Sequence, residues 1–222
     1  MSNITLATVL TLLLLSLLPL LFMAATSFVK ISVVLSILRN AIGTNQVPSG
    51  AVVTALASIL TLYVMAPVGM QMMQSAEPKL SAVSWEAPLA GQNGKRFLEA
   101  AMTALLPLNR FLEKHSGKRE KKLFFDLAKK SAQNGPPIAS SEKDLAVVFP
   151  AFLITELAEA FLIGFLLFIP FLIIDLVVAN IVLSLGMHML SPTTISLPFK
   201  LLLFVAVDGW YLVSEALVSG YL

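Results

Sequence analysis

The run FPAFLITELAEAFLIGFLLFIPFLIIDLVVANIVLSLGM, from Phe149 to Met187, carries only three charged side chains: Glu156, Glu159 and Asp175. It sits within a longer apolar stretch, Val147 to Leu190. About 20 apolar residues suffice to cross a bilayer as a helix, so this stretch is long enough to do so. Pro170 stands inside it between Ile169 and Phe171. Neither neighbour suits a solvated turn, so a kinked or broken helix is expected rather than a surface loop. The turn signal comes later, in GMHMLSPTT from Gly186 to Thr194, and a last helix is expected from about Leu197 to Val218.

Upstream, Ile4 to Val29 holds no charge, and a second candidate span runs from about Ala51 to Met73 after the turn-like NQVPSG at Asn45 to Gly50. A signal peptide fits the first run poorly. Its first cation is Lys30 and its apolar length exceeds that of an h-region. The simplest reading is a four-span chain.

Composition agrees. Hydrophobic residues make up 57% of the 222, and charged residues 13%, against about 25% in soluble domains. Of the 15 basic and 13 acidic residues, 20 lie between Glu77 and Asp144. The chain therefore divides into an apolar helical hairpin (1–76), a polar insert (77–146) and an apolar C-terminal part (147–222). Within the insert, Lys95 to Glu113 and Arg119 to Lys130 read as helices, with Phe97, Ala101, Ala104 and Leu108 at helical spacing. AEPKLSAVSWEAPLAGQNG and SAQNGPPIASS read as loops. The fold class expected is all-α: membrane-associated helical hairpins with a polar, helical central insert.

Several functions are excluded. A net charge of +2, with 12 of the 15 cations in the insert beside eight acids, does not suit nucleic acid. It reads as a solvated helical surface. Without cysteine there are no disulfides, no thiol catalysis and no thiolate metal ligands. His115 and His188 have no carboxylate at ligand spacing, and no phosphate loop or nucleophile elbow is present. No metal, cofactor or enzyme activity is expected. Glu156 and Glu159, three apart, could form a proton relay or a structural pair, and the spacing does not choose.

Lys30 and Arg39 flank the connection between the first two spans with no acid nearby. That places the connection in the cytoplasm and the insert in the periplasm. The insert's own cations carry less weight, because the rule applies to loops up to about 60 residues. Beyond residue 145 there are five acids and one cation, Lys200. Lys200 is then the basic partner for Glu156, Glu159, Asp175 and Asp208, and a hairpin at Gly186 to Thr194 could bring Asp175 to its depth. Pairing within one chain and pairing between subunits both remain open. Intramembrane charges mark pathways or contacts, so a secondary transporter or small-ion channel is the alternative reading.

TSFVKISVVLSILRNAIGTNQVP (Thr26 to Pro48), LTLYVMAPV (Leu60 to Val68), the run from Phe149 to Met187, and MLSPTTISLPFKLLLFVAVDGW ending at Trp210 together resemble the SctR/FliP family of type III secretion export-gate proteins. The resemblance covers roughly residues 20–75 and 148–215; the insert matches in position and character. It implies a core subunit of the export gate, forming the entry channel for unfolded proteins across the bacterial inner membrane. It implies a homo-oligomer, expected to be a pentamer, with SctS/FliQ-type and SctT/FliR-type membrane subunits, further export-apparatus and needle-base proteins, and exported unfolded proteins as partners. It also implies that the hairpins can be packed in the complex rather than each crossing lipid. Family members commonly carry three methionines after the glycine of the final turn, whose ring constricts the channel. Here the turn reads Gly186, Met187, His188, Met189, with a histidine in the middle. His188, unperturbed pKa near ~6.5, could charge in mild acid and loosen such a gasket. The start directly on an apolar segment favours the injectisome type over the flagellar type.

Overall fold

The computed structural model describes residues 16–17, 19–43, 48–81, 91–132, 138–187 and 189–222. Among them the chain is helical, as expected, and contains no strand. Seven helices of at least 11 residues follow one another: α1 (Phe28–Ile42), α2 (Gly50–Leu80), α3 (Gly91–His115), α4 (Lys118–Ser131), α5 (Leu145–Ser184), α6 (Pro192–Ala206) and α7 (Gly209–Ser219).

Residues 28–42 correct the first hairpin. The described end of the first apolar run is helical to Ala24, turns at Ala25 to Ser27, and restarts as α1. Lys30 and Arg39 therefore lie inside a helix, not at the borders of a loop. The helix ends at Gly43, whose φ of +82° is open to glycine without a Cβ penalty. Half of Ile4 to Val29, half of NQVPSG, and residues 82–90 and 133–137 of the two expected loops lie outside the described residues; the ends of the first loop are helical instead, Ala76 to Leu80 continuing α2 and Gly91 to Gly94 opening α3, and Ser131 of the second closes α4.

The helix α5 spans 40 residues and is continuous through Pro150 and Pro170. A proline removes one backbone hydrogen bond but keeps a helical φ, so of the two forms expected at Pro170 the broken one does not occur. The break falls instead in the last helix. Residues 192–219 form two helices bent by 61°, not one. Between them Asp208 adopts φ 52°, ψ 51°, left-handed geometry that a non-glycine residue rarely takes.

By compactness the chain groups as Met1–Ser27 with Met65–Glu156, and Phe28–Val64 with Leu157–Leu222. In the first unit the C-terminal half of α3 packs on the start of α5. Phe111 and Phe152 have ring centroids 5.9 Å apart, and Leu112, Val147, Val148 and Ala151 are fully buried. Ser116 Oγ donates to the Val148 carbonyl at 3.3 Å, and the Gly117 N–H donates to Thr155 Oγ1 at 2.9 Å. These bonds fix the α3–α4 corner against α5.

The second unit is built around α1. Phe28, Ile31, Leu35, Leu38 and Ile42 recur at helical spacing and are buried, as are Val34 and Ala41. They meet Val53 and Ala57 of α2, Ala160 and Phe171 of α5, Phe204 of α6, and Val213 and Leu217 of α7 in one core. The α1–α5 crossing is close at Gly164, where a Cβ would stand 2.4 Å from Ile37 Cδ1.

Among the described residues two helices, α2 from Gly50 to Lys79 and α5, are long and apolar enough to cross a membrane, and α6 with α7 makes a third if the bent pair is one span. In both long helices only 17% of the most apolar window is buried. Side chains such as Phe161, Phe165, Leu166 and Ile173 stand exposed. The chain leaves most of its apolar helix surface to be covered by lipid or by other subunits.

Candidate functional site

Two ion pairs lie within the apolar second unit. The first joins α5 and α6, brought together by the turn at Gly186 to Ser191. Lys200 Nζ is 2.6 Å from Asp175 Oδ2 and donates also to the Ala41 carbonyl at 3.0 Å. That carbonyl belongs to the last turn of α1, where helix carbonyls lack intrahelical donors and a cation is favoured. Asp175 Oδ1 accepts from Ser196 Oγ at 2.6 Å. Lys200 and Ser196 are buried and Asp175 is partly so. One cation thus ties three helices, and both oxygens of its carboxylate partner are bonded.

The second pair joins α1 and α5. Lys30 Nζ lies 2.6 Å from Glu159 Oε2 and 4.3 Å from the centroid of the Tyr221 ring. Lys30 is buried, while the Glu159 side chain is half exposed. This corrects the assignment of Lys200 as the one cation within reach of Glu159. Counting charges beyond residue 145 overlooked a lysine that is distant in sequence and adjacent in space. Ser27 at the entrance to α1 is fully buried.

Glu156, one turn before Glu159 on α5, belongs to the first unit and is fully buried. Asp208 stays exposed at the α6–α7 break. No three His, Asp or Glu side chains converge as metal ligands among the described residues. Nothing in these two pairs aims a nucleophile or base at a cleft; their geometry fixes helices against one another.

The turn after α5 is a Schellman motif. The Met187 N–H bonds the Val182 carbonyl at 3.1 Å and the Gly186 N–H bonds the Leu183 carbonyl at 3.0 Å, with Gly186 at φ +72°. A Cβ there meets nothing within 4 Å, so the requirement for glycine is conformational, not steric. Pro192 opens α6 at its first turn, where the missing N–H costs no helix bond. Met189 is 99% exposed, and Leu185, Met187 and Leu190 are exposed beside it. Four large apolar side chains project from one tight turn. His188 lies outside the described residues.

Residues 10–217 match the model of the FliP family. The chain is 43% identical over 209 residues to the hypersensitivity response secretion protein HrcR of Ralstonia nicotianae, covering 93% of this chain and 92% of that protein. It is 43% identical over 211 residues to the Yop proteins translocation protein R of Yersinia pestis, covering 94% and 92%. The flagellar biosynthetic protein FliP of Caulobacter vibrioides is 44% identical over 207 residues, covering 93% of this chain and 73% of that protein.

Proposed function

The chain belongs to the FliP family, and from that premise we propose that it is a core subunit of the type III secretion export gate in the bacterial inner membrane. Its part is structural: it lines the entry channel for unfolded proteins and performs no catalysis. The carrying observation is the similarity along nearly the whole chain to secretion and translocation proteins. The apolar helix surface left uncovered supports it, since such surface suits a subunit that is completed by neighbours. The injectisome type is favoured, because HrcR and the Yop translocation protein R match over nearly their own full lengths.

In this reading several copies, five by expectation, join SctS/FliQ-type and SctT/FliR-type subunits, and the insert faces the periplasm. The topology leans on Arg39 more than on Lys30, whose charge is taken up by Glu159. Co-expression with the two kinds of partner, followed by native mass measurement, should give one assembly containing several copies of this chain. A lone oligomer that binds a small solute and ignores those partners would favour the transporter reading.

The turn at Gly186 to Pro192 is the proposed gasket. Methionine is unbranched and adaptable, so a ring of Met187 and Met189 can close around varied cargo and reseal. His188 in the same ring would add a group that titrates near neutrality. Replacing Met187 and Met189 by Ala should raise the resting ion conductance of the assembled complex in planar bilayers. Unchanged leakage would place the seal elsewhere.

A further inference from the structure

The helix α7 carries two acids that the fold leaves bare. Asp208 stands at its entrance and Glu215 comes seven residues later, so both lie on one side of the helix, about 10 Å apart along its axis. Both are exposed, as are Tyr211, Leu212 and Ser219 along the same side. The opposite side, Gly209, Val213 and Leu217, is buried in the core. Among the described residues neither carboxylate takes part in an ion pair or a side-chain hydrogen bond. The positive end of α7 accounts for a charge at 208, although the Asp208 side chain caps no backbone N–H. No such account covers Glu215, whose neighbours one turn back are Tyr211 and Leu212. An acid between two large apolar side chains, on the open side of a helix, is a group awaiting a partner.

We propose that this side of α7 docks an apolar helix of a different membrane subunit, one that carries Lys or Arg at two positions about two turns apart. The inference deepens the export-gate reading and rests on it, since it names the chemistry by which a neighbour is recognised. Charge selects the occupant. Acyl chains do not suit the face: α6 and α7 together make a candidate span, and carboxylates within a span turn to a partner or to water. A second copy of this chain has little to offer. Of its three cations outside the insert, Lys30 and Lys200 are buried in pairs of their own, which leaves Arg39 alone. The other 12 lie in the polar insert, which does not suit apolar surroundings. A basic helix from another protein satisfies both carboxylates through charge-assisted hydrogen bonds, with Tyr211 and Leu212 packed between them.

The test uses the full-length chain co-expressed with SctS/FliQ-type and SctT/FliR-type subunits, with the subunits retained in the purified complex counted by native mass. Asp208→Asn with Glu215→Gln should lower the retention of one partner about tenfold or more, the scale on which close charge pairs between proteins act. The thermal midpoint of the lone chain in detergent should not move. Asp208→Lys with Glu215→Lys should abolish that partner's retention, and replacing the partner's basic pair by Glu should restore it. A photoreactive benzoylphenylalanine placed at Tyr211 should crosslink to the same partner; crosslinking to lipid alone overturns the inference. Equal assembly of the parent and the neutral variant overturns it too, and leaves the export-gate reading standing. Weaker assembly matched by a lower thermal midpoint overturns it by assigning the acids to the fold. Restoration by Arg39→Glu in this chain, and not by a change in a partner, overturns it in favour of a second copy. A parent chain that retains neither partner overturns the export-gate reading and the inference with it.

Discussion

Lys200→Ala is expected to destabilise the folded chain by about 3–5 kcal/mol, the usual cost of removing one partner from a buried pair. The loss has two parts. Asp175 keeps only the Ser196 hydroxyl, and the Ala41 carbonyl at the end of α1 loses its donor. Asp175→Ala strands the cation instead, so it should fall in the same range, somewhat reduced because the carboxylate is partly exposed. The double variant should lose less than the sum of the two, since each single change already breaks the shared contact. Lys200→Met with Asp175→Leu should recover much of the loss, because apolar replacements of similar size often match a buried pair. Thermal midpoints of the purified protein in detergent, with the yield of assembled complex, measure all four. Strictly additive losses would mean that the two side chains are not coupled.

Gly209→Ala should be the next most damaging single change, at about 1–3 kcal/mol from overpacking. A Cβ at this position would stand 2.2 Å from Phe204 Cε2 and 2.3 Å from Cδ2. The ring is not free to yield. It is buried, with the Phe171 centroid 6.5 Å away and Trp210 edge-on at 5.1 Å. Shrinking the ring with Phe204→Leu should be costly alone yet should soften the effect of Gly209→Ala, and that non-additivity is the diagnostic measurement. Asp208→Gly, one residue earlier, should be nearly neutral or mildly stabilising. It removes a Cβ from a left-handed residue that makes no side-chain cap bond. Comparable losses at 208 and 209 would contradict the steric account.

The helical class was legible because apolar length and charge distribution act locally, as α2, α3, α4 and α5 illustrate. The errors share a cause: they concern places where tertiary contact outweighs local pattern. Lys30 looked like a border residue, because a lysine in an apolar run ordinarily seeks water. Glu159 and the Tyr221 ring supply its partners inside the fold, and no pattern near residue 30 reveals them. The α6–α7 break did have a signal in the Asp208–Gly209 dipeptide, a common turn pair, masked by apolar residues on both sides. Pro170 carried the stronger breaker signal, yet α5 continues through it. Of the candidate charges, Asp175 and Lys200 are brought together, whereas Glu156 is buried in the other unit. The Schellman geometry at Gly186 follows from its sequence, whereas the exposure of Met187 and Met189 beside it carries no signal in the residues themselves.

The bareness of α2 and α5 bears on how a cell must handle this chain. A newly made copy without its neighbours displays the same greasy surface that misfolded proteins display, and chaperones and proteases recognise both on that basis. A copy whose bare helix faces meet neither lipid nor a neighbouring protein is therefore open to degradation.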